Sequence, residues 1–264
     1  MSTHPSAGTP TLTVAGTEIA RIGLGTNRLT STPGNHQFLR QAVQAGVGMI
    51  DTAHVYSGGD SERAIGEALS PKPDGLVVAT KGGYSGRGSP EELRAQIEQS
   101  LESLRTDVID LYYLHRVDPE TPMEVSLGVI AEYRDAGRIK EVGVSAVSVE
   151  QVEAARTIVP IVAVQNHYNV ADRDSDDVVD YCEEAGIVFV PYYPLKGGGP
   201  PALDQVAQGH GASPEQIALA WLLRRSAVTL PIPGTLSIEH LGENLAALEI
   251  ELTDHEFETL SQRR

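Results

Sequence analysis

The stretch SPEELRAQIEQSLESLRTDVIDLYYLH, Ser89–His115, holds one complete turn of the chain's main pattern. Leu93, Ile97, Leu101 and Leu104 recur at helical spacing and share one face. Ser89 stands where an N-cap belongs, and Glu92 is placed to close a capping box with it. The run VIDLYYLH then follows, rich in β-branched and aromatic residues, and ends abruptly in His115. The stretch predicts a capped helix feeding a buried strand with a titratable side chain at its tip.

The same unit repeats outward in both directions. Short apolar runs begin at residues 22, 48, 76, 108, 139, 161, 187 and 228 and predict eight strands. Helical spacing is expected between them over residues 36–45, 61–69, 89–107, 122–136, 148–158, 174–185, 214–225 and 238–248, with a short final helix over 254–262. Gly46, Gly137 and Gly186 follow three of these helices, where a left-handed C-cap favours glycine. Thr11–Ala20 reads as a hairpin turning near Gly16. Eight alternating units predict an α/β fold, a (β/α)8 TIM barrel with an N-terminal β-hairpin, as a single domain over residues 1–264. The rival is a doubly wound open sheet. Its G-x-G-x-x-G/A fingerprint is missing, since IGLGTNRL has Gly23 and Gly25 but no third glycine in place.

The chain has 264 residues with 20 Lys plus Arg against 36 Asp plus Glu, a formal charge of −16. That argues against nucleic acid or an anionic membrane surface as partner. It leaves room for a phosphorylated cofactor held by a few local donors at helix N-termini. The single cysteine, Cys182, allows no intrachain disulfide and no zinc-ligand cluster, so no metal is expected. MSTHPSAGTPTLTV, a Ser/Gly/Pro leader, shows no signal-peptide pattern, and no apolar run is long enough to cross a membrane. A cytoplasmic protein is expected, compatible with a monomer.

In a βα barrel, chemistry sits at the C-terminal ends of the strands. Asp51, Lys81 and His115 end three consecutive runs, with Tyr56 in the loop beyond the first. Each alone has a structural explanation, as a helix cap, a solvated amine or a satisfied core histidine. Together they form a proton-donating site. A free phenol has a pKa of about 10, and an ammonium beside it is expected to lower that value. Asp51 would hold Lys81 charged, and His115 would position a carbonyl oxygen that gains negative charge.

Several motifs in order carry a wider likeness. They are DTAHVY…SERAIGEAL (Asp51–Leu69), TK (Thr80–Lys81), LYYLH (Leu111–His115), GVS (Gly143–Ser145), VQNHYN (Val164–Asn169), YYPL (Tyr192–Leu195) and PIPGT…ENLAAL (Pro231–Leu248). The chain resembles the aldo-keto reductase superfamily from Ile22 to Leu260, with the likeness strongest to its short bacterial members. The resemblance implies a barrel binding NADPH or NADH, with Asp51, Tyr56, Lys81 and His115 as a catalytic tetrad and Tyr56 as general acid. It implies reduction of a small-molecule carbonyl substrate by hydride transfer. A second reading, from another class, is a cofactor-binding regulatory subunit with little turnover; the intact tetrad argues against it.

Carried over by position, the resemblance implies Thr26 near the nicotinamide ribose, Ser145 and Gln165 on the carboxamide, and Tyr192 stacked on the ring. Leu195 and Lys196 belong to a glycine-rich loop suited to lying over a pyrophosphate. Ser237 is an expected N-cap ahead of a helix whose amides face a phosphate. Glu243 and Asn244 are implied near the adenine. His240 stands where NADPH-preferring relatives often carry arginine, and Leu236 where a basic residue is common. Ala146 replaces the usual asparagine after GVS, removing one donor. Arg28, His54, Tyr84 and Arg116 are further candidates for the pocket wall.

Overall fold

The computed structural model describes residues 10–262; the leader reading on residues 1–9 lies outside them, as do residues 263–264. The hairpin forms as expected, with β1 (Thr11–Val14) antiparallel to β2 (Thr17–Ala20). Ala15 and Gly16 both adopt positive φ at the turn, which matches the twist of the strands they join. Seven parallel strands follow in chain order and pair in that order: β3 (Leu24–Gly25), β4 (Met49–Asp51), β5 (Val77–Gly82), β6 (Ile109–Leu114), β7 (Ile139–Ser145), β8 (Ile161–Gln165) and β9 (Val188–Phe189).

The expected eighth strand is reduced to a chain segment bonded on both flanks. On one side Phe189 N–H donates to Val228 O at 2.9 Å and Leu230 N–H to Phe189 O at 2.8 Å. On the other, Gly23 and Gly25 N–H donate to Pro231 and Pro233 O at 3.0 and 3.2 Å. Pro231 and Pro233 have no N–H to return, so the pairing toward β3 shrinks to the isolated bridge Gly25–Gly234. Gly25 permits this close approach, since a Cβ there would lie 2.7 Å from Ile232 O.

Ten α-helices are present among the described residues: α1 (Pro33–Gln44), α2 (Asp60–Leu69), α3 (Pro90–Leu104), α4 (Met123–Asp135), α5 (Val149–Arg156), α6 (Asp176–Ala185), α7 (Ala202–His210), α8 (Pro214–Arg225), α9 (Ile238–Ala246) and α10 (Asp254–Ser261). Nine answer to the predicted ones; α7 does not. It follows the glycine–proline run 197–201, and the sequence reading treats that region as loop. Leu203, Val206 and Ala207 are buried at helical spacing within it, a signal present but short. Ser89 does cap α3, accepting from Glu92 N–H. The box does not close, because the Glu92 carboxylate takes the Ser89 hydroxyl at 2.9 Å and Arg87 Nε at 3.2 Å instead.

Strand parity sorts the core into two layers. Met49, Val77, Ala79, Leu111, Tyr113, Ala163, Val188, Val190, Leu230 and Ile232 face inward and pack with Val14 and Ile19 of the hairpin. Ile50, Val78, Tyr112, Leu114, Val142, Val144, Val164 and Phe189 face outward into the helices. No helix among the described residues is long and apolar enough to cross a membrane.

Candidate active site

Continuing the inward parity past the core reaches Asp51 after Met49, Lys81 after Ala79, His115 after Tyr113, Ser145 after Gly143 and Gln165 after Ala163. These ends share one rim and open into a cavity of about 1000 Å³. Asp51, Tyr56, His115, Ser145 and Gln165 line it, while Lys81 lies fully buried behind them.

The Lys81 ammonium lies 2.5 Å from Asp51 Oδ1 and donates to Thr52 O at 2.7 Å and, at longer range, to Tyr56 Oη at 3.5 Å. Asp51 Oδ2 accepts from Gln165 Nε2 at 2.8 Å, so both carboxylate oxygens are filled. Burial opposes the charge on Lys81, but Asp51 and Tyr56 outweigh it and its pKa is raised. Tyr56 corrects the expectation: burial raises its phenol above the ordinary value and outweighs the downward pull of Lys81. The phenol is therefore held protonated, as a proton donor must be. His115 is driven down to about 2 by burial, with Lys81 and Arg116 adding to it, and is a neutral imidazole at pH 7. Its ring meets Tyr56 edge-on at 5.9 Å and Tyr84 at 4.8 Å, and its buried Nδ1 has no partner among the described residues.

Local sequence explains how Tyr56 returns to the rim. A single 3₁₀ turn spans Tyr56–Gly59, and Ser57, Gly58 and Gly59 all take positive φ, reversing the chain at once. The helix expected to begin at Ser61 starts at Asp60. Ser61 is buried instead, its hydroxyl 2.7 Å from Thr52 Oγ1 and 2.8 Å from Thr26 Oγ1. Thr26 donates onward to Asp51 O at 2.8 Å. The three hydroxyls tie the loop to the strand end that carries Asp51.

The remaining implied positions divide. Thr26, Tyr192, Leu195, Lys196 and His240 join the cavity wall. Ser237 caps α9 as expected, accepting from His240 N–H at 3.2 Å, and its own hydroxyl donates to Glu239 at 2.8 Å. Ser237, Glu243 and Asn244 do not line the cavity; Glu243 is exposed on α9 and Asn244 is buried beside it. Among the former candidates Arg28, Tyr84 and Arg116 line the wall and His54 does not. Ala146 holds φ +55°, a left-handed backbone that asparagine tolerates better than alanine. Among the described residues no group of three His, Cys, Asp or Glu side chains could hold a metal ion.

Residues 21–263 match the model of the Aldo/keto reductase family. The chain belongs to that family. It is 40% identical over 240 residues to pyridoxine 4-dehydrogenase of Escherichia coli K12, covering 84% of each chain. Among solved structures, it superposes on a thermostable aldo-keto reductase bound to the inhibitor epalrestat with a TM-score of 0.87 and 32% identity, covering 95% of this chain and 98% of that one. An aldo/keto reductase of Klebsiella pneumoniae, in complex with NADP and acetate, gives a TM-score of 0.85 at 26% identity, covering 96% and 94%.

The reductase also has wall residues that the sequence reading passed over. Tyr193 is 47% exposed at the mouth, with φ +53° and the Lys196 ammonium 4.8 Å from its ring. Parity alone sends Tyr193 away from Tyr192; the left-handed backbone brings it back. Asn27, Val55, Ile232, Pro233 and Thr235 line the wall too. Tyr192 lies stacked on His167 at 5.6 Å, and its hydroxyl accepts from Arg116 at 3.3 Å.

Proposed function

We propose that this aldo/keto reductase, acting as a single cytoplasmic domain, reduces small aldehydes and ketones with NADPH, or with NADH less readily. The observation that carries the reading is the Tyr56 phenol, 3.5 Å from the buried Lys81 ammonium and open to the cavity. Support comes from the relative named for pyridoxine dehydrogenation and from the NADP-bound Klebsiella reductase.

The residues present fit a nicotinamide cofactor. Ser145 and Gln165 offer polar side chains at adjacent strand ends, and half-exposed Tyr192 offers a flat ring two positions beyond Val190. The N-terminus of α9 and Lys196 supply donors for phosphates. His240 is the basic group nearest the start of that helix, and exposed Leu236 adds none, which favours NADPH only modestly. When bound, the cofactor supplies a hydride to the carbonyl carbon.

The chain's own residues handle the oxygen. Neutral His115 has one N–H to give to the carbonyl, and Tyr56 Oη delivers the proton as charge builds there. Lys81 stabilises the phenolate left behind, and Asp51 keeps Lys81 charged.

Fluorescence titration with NADPH and NADH, followed by a panel of aldehydes, tests this. Tighter binding of NADPH and its oxidation on adding aldehyde are expected. Tight binding without turnover on any carbonyl would transfer the reading to a regulatory cofactor-binding subunit.

A further inference from the structure

The charge around the cavity runs against that of the whole chain. The formal charge is −16, yet among the described residues the single carboxylate on the cavity wall is Asp51, paired with Lys81. Arg28, Arg116 and Lys196 all line that wall, and none of the three has a carboxylate partner among the described residues. Elsewhere most arginines and lysines are paired, as Arg94 is with Glu132 and Arg225 with Asp180. Three unpaired cations at one opening call for anions that come from outside.

Their places on the rim divide them. The ring runs from β3 to β9 and closes through residues 228–234, which bond to both. Arg28 follows β3 and Lys196 follows β9, the two neighbours of the closing segment, and α9 begins just beyond that segment. Those two cations and the α9 N-terminus therefore flank the closing segment together. Arg116 follows β6, four places round the ring from the closing segment, and its guanidinium extends across to Tyr192 beyond β9. It is the residue after His115, near enough for its charge to press on the imidazole.

The guanidinium is also held ready. It lies 5.6 Å from the Tyr192 ring centre and gives one N–H to Tyr192 Oη at 3.3 Å. A guanidinium has five N–H donors in a fixed fork, so most remain for a planar oxyanion. A carboxylate accepts two such bonds side by side.

Building on the carbonyl-reductase reading, we infer that Arg116 anchors an anionic group on the substrate, and that this reductase favours carbonyl compounds carrying a carboxylate. The carboxylate sits on the Arg116 side of the rim while the carbonyl oxygen meets Tyr56 and His115. Arg28 and Lys196 are left to the cofactor.

The test compares 4-carboxybenzaldehyde with methyl 4-formylbenzoate, its uncharged ester, at saturating NADPH. The expected kcat/KM ratio favours the acid by about 10- to 100-fold, the range for hydrogen bonds to a charged group. Arg116→Gln should bring the ratio close to one, and Arg116→Lys should keep part of it. A wild-type ratio near one, or a ratio unchanged in Arg116→Gln, overturns the inference. So does a raised KM for NADPH in Arg116→Gln with the ratio intact, which would assign Arg116 to the cofactor. Should neither aldehyde turn over, the reductase reading fails and calorimetry still reads the anion site. Terephthalate binding to the NADPH-loaded protein that is lost in Arg116→Gln supports the anchor; equal binding in both proteins overturns it.

Discussion

Adjacent residues of β5 meet two buried carboxylates on opposite faces of the sheet. Lys81 points inward to Asp51, and Thr80 points outward, its hydroxyl 2.5 Å from Glu62 on α2. Both acids are 1% exposed. Asp51 has an ammonium on one oxygen and an amide on the other. Glu62 has a hydroxyl on one oxygen and, among the described residues, no hydrogen-bond partner on the other. Burial raises the pKa of Glu62, and the Thr80 and Ser100 hydroxyls and the more distant Lys81 only partly offset it. Equal burial thus puts an ammonium against Asp51 and only hydroxyls against Glu62, whose carboxyl is drawn toward its neutral form. The outer face also keeps a buried acid where cations reach it, since Asp110 on β6 pairs with both Lys72 and Lys140 at 2.8 and 2.7 Å, so the partner and not the face decides.

The largest effect expected on the inner face comes from Tyr56→Phe, which removes the proton donor and leaves the ion pair behind it. Carbonyl reduction should fall by about 10²- to 10⁴-fold, the usual worth of a positioned acid. Cofactor titration should be nearly unchanged. Unaltered turnover would mean that the inner charge pair serves no chemistry.

Next comes Asp51→Asn, which leaves a fully buried ammonium without its counter-charge. Denaturant unfolding should show a loss of about 3–5 kcal/mol, as when one member of a buried pair is removed. A loss under 1 kcal/mol would erase the contrast with Glu62.

The third prediction concerns pH. His115 is depressed in the fold to about 2 from its ordinary 6.5, so the unfolded chain takes up a proton that the folded one refuses. Stability from this group is complete above pH 6.5 and is lost as the pH falls toward 2. In His115→Gln the acid-side loss should shrink by up to about 1.4 kcal/mol per pH unit, measured as unfolding free energy against pH. An unchanged slope would place the imidazole in contact with solvent.

The smallest effect is expected at Glu62→Gln. A raised carboxyl pKa means stability that is full below the unfolded value and is lost as the pH rises through the folded one. The amide keeps an acceptor for Thr80 and removes the charge. Its unfolding free energy at pH 7 should equal or exceed that of the parent, by no more than about 1 kcal/mol, and the difference should vanish near pH 4. A large loss at neutral pH would show Glu62 to be a second working anion.

Much of this arrangement was legible before any coordinates. The helix at Ser89, the strand ending in His115 and the inward parity of Asp51, Lys81 and His115 all follow from spacing along the chain. The misses share a cause. Helix α7 hid behind a glycine–proline run, and the eighth strand was weakened by two prolines that accept hydrogen bonds without donating. Tyr193 reached the cavity through a left-handed residue that periodicity does not encode. Glu62 was read as part of a helix start, although its carboxylate supports β5 from outside.

By itself the sequence determined the βα alternation, the order of the strands and the chemical character of the rim, because neighbours along a helix or strand set which face each side chain takes. Tertiary structure alone decided which charges survive. The rise in the Tyr56 pKa, the pairing that keeps Lys81 charged and the contact of Arg116 with Tyr192 depend on groups brought together from distant parts of the chain. Desolvation and Coulomb energies act through space, and no pattern along the chain carries them.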